Sequence, residues 1–283
     1  STGKLNVSGQ TIAEGIQVLG KSGTGQIRTL SGETTFTGGI SMTSGIDLRT
    51  NSGTFRFAGG ITGNGEFFNT AASIYETTSL DVQGISFSST LHQLNVGGNN
   101  FGYIKMAFGS PELKIGAGLN NAWNSDAELR LGWTTVNNSR AKVDLNDTSQ
   151  TVGKLTQANG TVTALEDTGS LDTLNQEITG GGTLTVDISG GAEDSLYFGR
   201  FTDGATSTNV VKNGTAKLTL NNQSTTQFST NTGTFTVNNG ILEIKSGNDI
   251  GDGATVTLAD VAGASLDVNG TGNTETIGGL TGG

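Results

Sequence analysis

The sequence predicts an all-β chain wound as an elongated parallel β-helix, or β-solenoid. Three observations point there: apolar residues recur in period-two pairs from end to end, Gly-rich bends separate the pairs, and long stretches repeat at a drifting interval. No window carries apolar residues at i, i+3, i+4 and i+7 over three turns, and Gly, Thr, Asn and Ser interrupt each stretch that might form a helix.

The pairs begin at Leu5/Val7, Ile16/Val18, Ile40/Met42, Ile46/Leu48 and Phe55/Phe57. They continue through Leu80/Val82, Ile85/Phe87, Leu94/Val96 and Leu113/Ile115. The second half adds Leu129/Leu131, Val143/Leu145, Leu184/Val186, Leu196/Phe198, Leu218/Leu220, Phe235/Val237, Leu242/Ile244, Val256/Leu258 and Leu266/Val268. Each fits a strand of three to five residues with one buried and one wet face. Between them lie Gly38-Gly39, Gly59-Gly60, Gly63-Asn64-Gly65, Gly97-Gly98, Gly180-Gly181-Gly182, Asn239-Gly240 and Asn269-Gly270, residues that reach positive φ cheaply.

Short strands and tight bends also suit an antiparallel barrel or sandwich. Repetition favours the solenoid. Val143-Asp144-Leu145-Asn146 returns as Leu266-Asp267-Val268-Asn269, Leu129 to Gly132 as Val256 to Ala259, and Ile61 to Phe67 as Ile178 to Leu184. The three offsets differ, and a solenoid absorbs such insertions in one coil where a closed barrel cannot. Two diverged units are expected, residues 1–157 and 158–283, forming one continuous solenoid. At roughly 20 residues per coil the chain gives about 14 coils and a rod of roughly 65 Å.

Composition narrows the function classes. Gly occupies 46 of 283 positions, well above the usual ~7%, and hydrophobic residues make up only 33%. The single Pro argues against a Pro-rich linker, and the absence of Cys excludes disulfides and thiolate metal sites. A formal charge of −10 argues against a nucleic-acid or anionic-membrane partner. No apolar run approaches the ~18 residues of a transmembrane helix. Ser1-Thr2-Gly3-Lys4 does not open a signal-peptide pattern, so a mature product or excised fragment is expected.

The same residues resemble the autotransporter-associated β-strand repeat. Leu266 to Gly282 is similar to that family's closing element, with a looser copy at Val143 to Leu155. Thr34 to Ile40 looks like its middle segment, Asn239 to Ile244 its following strand and Gly214 to Leu220 its opening strand, although Ala216-Lys217 departs from the pattern. The match is good over 205–283, partial over 30–67 and 127–157, and poor elsewhere. The resemblance implies a right-handed parallel β-helix in a secreted or cell-surface passenger, bacterial and outer-membrane-associated, serving as stalk, adhesin or coat.

Chemistry-bearing patterns are sparse. Gly15 to Ser22 fits G-x-x-x-x-G-K-[ST], but its interior is strand-like and no helix follows, so a strand ending in a turn is expected. His92 is the only imidazole, and its place in Thr90-Leu91-His92-Gln93-Leu94 sends it outward opposite Leu91. Asp47, Asp81, Asp144, Asp187 and Asp267 sit at the outward centres of apolar pairs. Their sequence spacing puts successive members two to four coils apart, roughly 8–19 Å, too far for most to share a metal or a sugar. Gly247-Asn248-Asp249-Ile250-Gly251-Asp252-Gly253 resembles one calcium-type β-roll turn without tandem copies, and it is the one place where Ca2+ is entertained. Trp123, Trp133, Tyr75, Tyr103 and Tyr197 are too scattered for a sugar platform. Leu119 to Trp133 breaks the repeat and reads as ordinary packing or a protruding contact loop.

No catalytic, cofactor-binding or metal residue is therefore assigned. The expected role is a non-enzymatic extracellular or cell-surface structural or adhesive solenoid. Its partners are other copies, stacked end to end or laterally into a fibre or coat, or a host or neighbouring cell surface. A polysaccharide-active β-helix enzyme (lyase or glycosidase) and a phage-fibre-like segment are the alternatives.

Overall fold

The computed structural model describes residues 4–19, 25–29, 31–50, 53–69, 73–76, 80–87, 91–106, 109–132, 140–157, 176–189, 194–222, 224, 226–269 and 274–282. Among them there is no helix, and the strand pairings are parallel, so the chain is a parallel β-solenoid. Short apolar-x-apolar strands cannot bury their inner face alone. Stacking each on its copy one coil away gives a continuous core, with backbone hydrogen bonds running along the axis.

The strands fall on three faces, the second of which carries none after Arg200–Phe201. The first carries Lys4–Val7, Gly25–Thr29, Ile46–Thr50, the ends of Ile61–Asn69, Leu80–Phe87 and Asn100–Met106, then Glu128–Leu131 and Lys154–Gln157. The Leu155 amide donates to Ser195 Oγ at 3.1 Å, which leads this face into a second sheet of Ser195–Tyr197, Leu218–Leu220, Ile241–Ile244 and Ser265–Val268. The second face runs through nine strands from Thr11–Ile12 to Arg200–Phe201. The third begins with Ile16–Val18, Ile40–Met42 and the start of Ile61–Asn69. It passes through an Asn99–Trp123 bridge and continues as six strands from Ser149–Val152 to Gly279–Gly282.

Ile61–Asn69 turns the corner between third and first faces, pairing through Ile61 with Ile40 and through Phe67 with Ile46. Gly63 makes the corner. Its φ is +133°, and a Cβ there would lie 1.9 Å from the Met42 carbonyl oxygen. Only glycine lets the two coils approach this closely.

Rows of residues follow the register. One second-face row reads Thr34, Phe55, Ile74, His92, Leu113, Val143, Ile178, Phe201. A third-face row reads Gln150, Leu184, Val210, Phe235, Val256, Leu280. Phe36 and Phe57 stack at 5.4 Å, and Tyr197, Phe201 and Phe235 form a second aromatic chain at 5.0 and 5.3 Å. Burying one such ring contributes about 1.5–3 kcal/mol, so two aromatic clusters anchor the two halves.

Several sequence expectations are corrected here. His92 points inward and is fully buried: Leu91 and Leu94 are three residues apart and cannot share a face, and Leu94 takes the inner one, which brings His92 with it. Asp47 is buried, held beside Arg49 at 2.7 Å. In the pair read as Leu196/Phe198, Ser195 and Tyr197 face inward and Leu196 outward, because Ser195 and Tyr197 stack on Leu218 and Leu220. Leu119 to Gly132 is a coil in register, not a protrusion: Trp123 is buried and donates Nε1–H to the Thr151 carbonyl at 2.8 Å. Trp133 lies outside the described residues.

The pitch also departs from the uniform spacing expected. Phe67 pairs with Ile85, whereas Gln150 pairs only with the distant Leu184, so one coil takes nearly twice as much chain as the other. Longer coils mean fewer of them than fourteen and a shorter rod. The sequence repeats also change face: Leu129 is on the first and Val256 on the third, Val143 on the second and Leu266 on the first. All three faces share one in-out alternation, so a repeat can advance by a face without losing its core.

Candidate binding groove

Inward positions on the second face are apolar almost throughout, which leaves chemistry to the outward ones. There the register aligns Glu112, Lys142, Glu177 and Arg200 on four successive rungs. Side chains of opposite sign thus alternate along the axis. Lys142 Nζ reaches Glu112 Oε1 at 3.1 Å and Arg200 Nη2 reaches Glu177 Oε2 at 3.1 Å. Beside them Lys114 meets Asp144 at 3.5 Å. These half-buried pairs remain in contact with water, so they define a surface more than they stabilise the fold.

These residues line a shallow groove of about 340 Å³, completed by Ser110, Pro111, Arg140 and Gln227. Backbone bonds set its walls. The Lys142 amide donates to the Pro111 carbonyl at 2.9 Å and the Arg140 amide to the Gly109 carbonyl at 2.7 Å. Arg200 is pinned from below, because its carbonyl accepts the buried Tyr197 hydroxyl at 2.9 Å and its amide donates to the Gln176 carbonyl at 3.0 Å. Its guanidinium also bonds the Gln227 side-chain oxygen. Glu177 accepts a further bond from the Thr202 hydroxyl at 2.6 Å. Arg140 stands exposed on the rim, and among the described residues no side chain pairs with it.

The sequence reading missed this groove. Its members lie at unequal intervals along the chain, and unequal coil lengths hide that they share a row. The pairs Leu113/Ile115 and Val143/Leu145 placed Glu112 and Lys142 outward, but no pair framed Glu177, and the Leu196/Phe198 alternation put Arg200 on the wrong face.

The residues that were singled out do not converge. Ile16–Val18 of the phosphate-loop-like stretch is a strand, and residues 20–24 lie outside the described residues. The five Asp sit apart. Asp47 and Asp267 lie on first-face strands, Asp81 at the start of a strand that turns from the third face to the first, Asp144 on the second face and Asp187 on the third. Asp81 bonds Asn100 at 2.9 Å. Tyr103 lies under the Arg130 guanidinium at 4.2 Å, and Tyr75 falls on the strand Ser73–Glu76.

The calcium-type turn is an internal hydrogen-bonded knot. Asp249, fully buried, accepts the amides of Asn222, Lys245 (3.0 Å) and Ser246 (2.8 Å) and the Ser246 hydroxyl (2.7 Å). Glu275, one coil on, accepts the amides of Asp249 at 3.2 Å and Ile250 at 3.0 Å. Burial pushes Asp249 up from the usual carboxylate range, and burial with the neighbouring Asp249 and Asp252 carboxylates pushes Glu275 up to about 7. These oxygens are already spent on backbone N–H groups, and among the described residues no cluster of three metal-ligating side chains occurs.

Lys212 is a buried cation. It occupies the row Val152, Val186, Lys212, Val237, Leu258, yet only 1% of it is exposed. Its Nζ donates to the carbonyls of Asn213 (2.6 Å), Gly214 (2.7 Å) and Asn239 (3.1 Å). Three donors meet three acceptors where two coils turn. Burial still lowers its pKa to about 8, against the opposing pull of Asp187 and Asp194.

Comparison with known proteins gives no match: no family model, no curated protein and no solved structure is recognisably similar to this chain.

Proposed function

We propose that the chain is a non-enzymatic structural or adhesive solenoid of the bacterial cell surface, passenger-like in kind, that associates with further copies or with another cell. The observation that carries this reading is the stacking of parallel rungs through the described residues, with Thr, Asn and paired charges among their outward positions. Such a body is stiff and presents repeated polar surface along its length. The charge of −10 keeps it soluble at high local density.

Two measurements test it. In cells producing the chain with its natural flanking sequence, added protease should remove it without lysis, and protection until lysis refutes surface placement. Light scattering on the purified chain should show concentration-dependent growth, and a strictly monomeric species at high concentration refutes self-association.

A glycosidase is the second reading, favoured by one observation. Glu112 and Glu177 share the groove two rungs apart, about 9.5 Å at the cross-strand spacing, the outer limit for an inverting carboxylate pair. Lys142 stands between them and both carboxylates are ion-paired, which leaves little room for the water such a reaction needs. Release of reducing ends from a broad glycan panel would establish this reading, and an inert result removes it.

A further inference from the structure

We infer that the groove is a binding site for one carboxylate-bearing sugar at the end of an otherwise neutral glycan, with Arg140 selecting the carboxylate. The inference rests on the adhesive reading above and gives that reading a ligand.

Charge points to an anion. The lining holds three cations, Arg140, Lys142 and Arg200, against two carboxylates, Glu112 and Glu177, on a chain whose net charge is −10. Lys142 and Arg200 are engaged within the ladder, so the surplus resides on Arg140 at the rim. A guanidinium presents a planar fork that matches a carboxylate with two parallel N–H donors.

Size points to a short ligand. About 340 Å³ lies at the low end of the ~300–1,000 Å³ of small-molecule clefts, enough for one or two rings. A long polyanion would extend beyond this patch along a chain of net charge −10. Screening over ~8 Å at physiological salt confines the attraction to groups inside the groove. A single terminal acid on a neutral chain avoids that repulsion.

The remaining lining suits hydroxyls. Glu112 and Glu177 accept from them, Lys142 donates, and the Ser110 hydroxyl and Gln227 amide do both. Among the described residues no aromatic ring lines the groove, so recognition depends on polar contacts and Arg140 dominates selectivity.

The test compares two probes by titration calorimetry or ligand-observed NMR: a neutral glucose tetrasaccharide ending in glucuronate, and the same tetrasaccharide ending in glucose. The glucuronate form should bind at least about tenfold tighter, the value of one charge-assisted bond. Arg140→Ala should abolish that preference, and Arg140→Lys should retain only part of it because charge remains without the fork. Arg140 is exposed, so both variants should keep the wild-type urea midpoint. Equal affinity for the two probes, or a preference that survives Arg140→Ala, overturns the assignment. A sulfated terminus preferred over glucuronate also overturns it, in favour of a sulfate site. Failure of the protease test with the glucuronate preference intact would sink surface placement and leave the groove standing.

Discussion

Lys212→Met is the sharpest test of how this core is held together. The substitution keeps an unbranched side chain in the row between Val186 and Val237 and removes the ammonium. Lowering the lysine from 10.5 to about 8 means that holding its charge in the folded state costs roughly 3 kcal/mol at most, at ~1.36 kcal/mol per pKa unit. Between pH 8 and 10.5 the unfolded chain binds the proton that the folded chain has released, so stability rises with pH across that interval. Above pH 10 an opposite trend begins. Burial holds the Tyr103 and Tyr197 hydroxyls protonated in the fold, while the unfolded chain loses those protons and gains stability. The urea midpoint of the wild type should therefore climb from pH 8 to about 10 and then fall. Lys212→Met should lose the climb and keep the fall. At pH 7 it is relieved of the desolvation cost, but it orphans the carbonyls of Asn213, Gly214 and Asn239, at about 1–3 kcal/mol for each one left dry. A net loss at pH 7 combined with a gentler pH dependence is the expected signature. A variant with the same climb between pH 8 and 10 would refute the assignment of that titration to Lys212.

Three further outcomes are expected. Glu275, raised to about 7 in the fold, binds its proton more tightly there than when unfolded; its contribution is full below about pH 4.5 and is lost as pH rises through 7, and Glu275→Gln should flatten that decline in urea titrations. Phe57→Ala should lower stability by about 3–5 kcal/mol, because it removes one fully buried ring that contacts both Phe36 and Phe55, and a loss under about 1 kcal/mol in denaturant unfolding would show that the coils collapse into the gap. Gly63→Ala should disrupt the coil corner against Met42, detected as lost amide protection in Ile40–Met42 and Ile61–Gly63 by hydrogen exchange, whereas Gly98→Ala, with open space around it, should cost about 1–2 kcal/mol from its positive φ alone.

The handful of residues that form the groove show why legibility stopped where it did. Glu112, Lys142, Glu177 and Arg200 are ordinary outward residues of four separate strands, and nothing local to any of them announces a partner. Coil length decides which outward residues become neighbours, and it nearly doubles between the coil that joins Phe67 to Ile85 and the one that joins Gln150 to Leu184. His92 failed for a different reason. Its strand contains Leu at both parities, so alternation over so short a stretch gave two answers, and only stacking on Leu113 chose between them. Lys212 sat at an inward parity that charge alone made implausible. What permits it is a set of three carbonyls contributed by two coils, which no single segment contains.

Composition and period therefore determined the strands and their bends, because these depend on alternation and on glycine conformations that each segment carries by itself, while the drifting repeats along the chain favoured a solenoid over a closed barrel. Tertiary structure decided which rung lies on which, and with it the polar groups buried in the core, the charge ladder and the groove. Register is a property of the distance around each coil, and that distance is settled only when the apolar rows of successive coils meet.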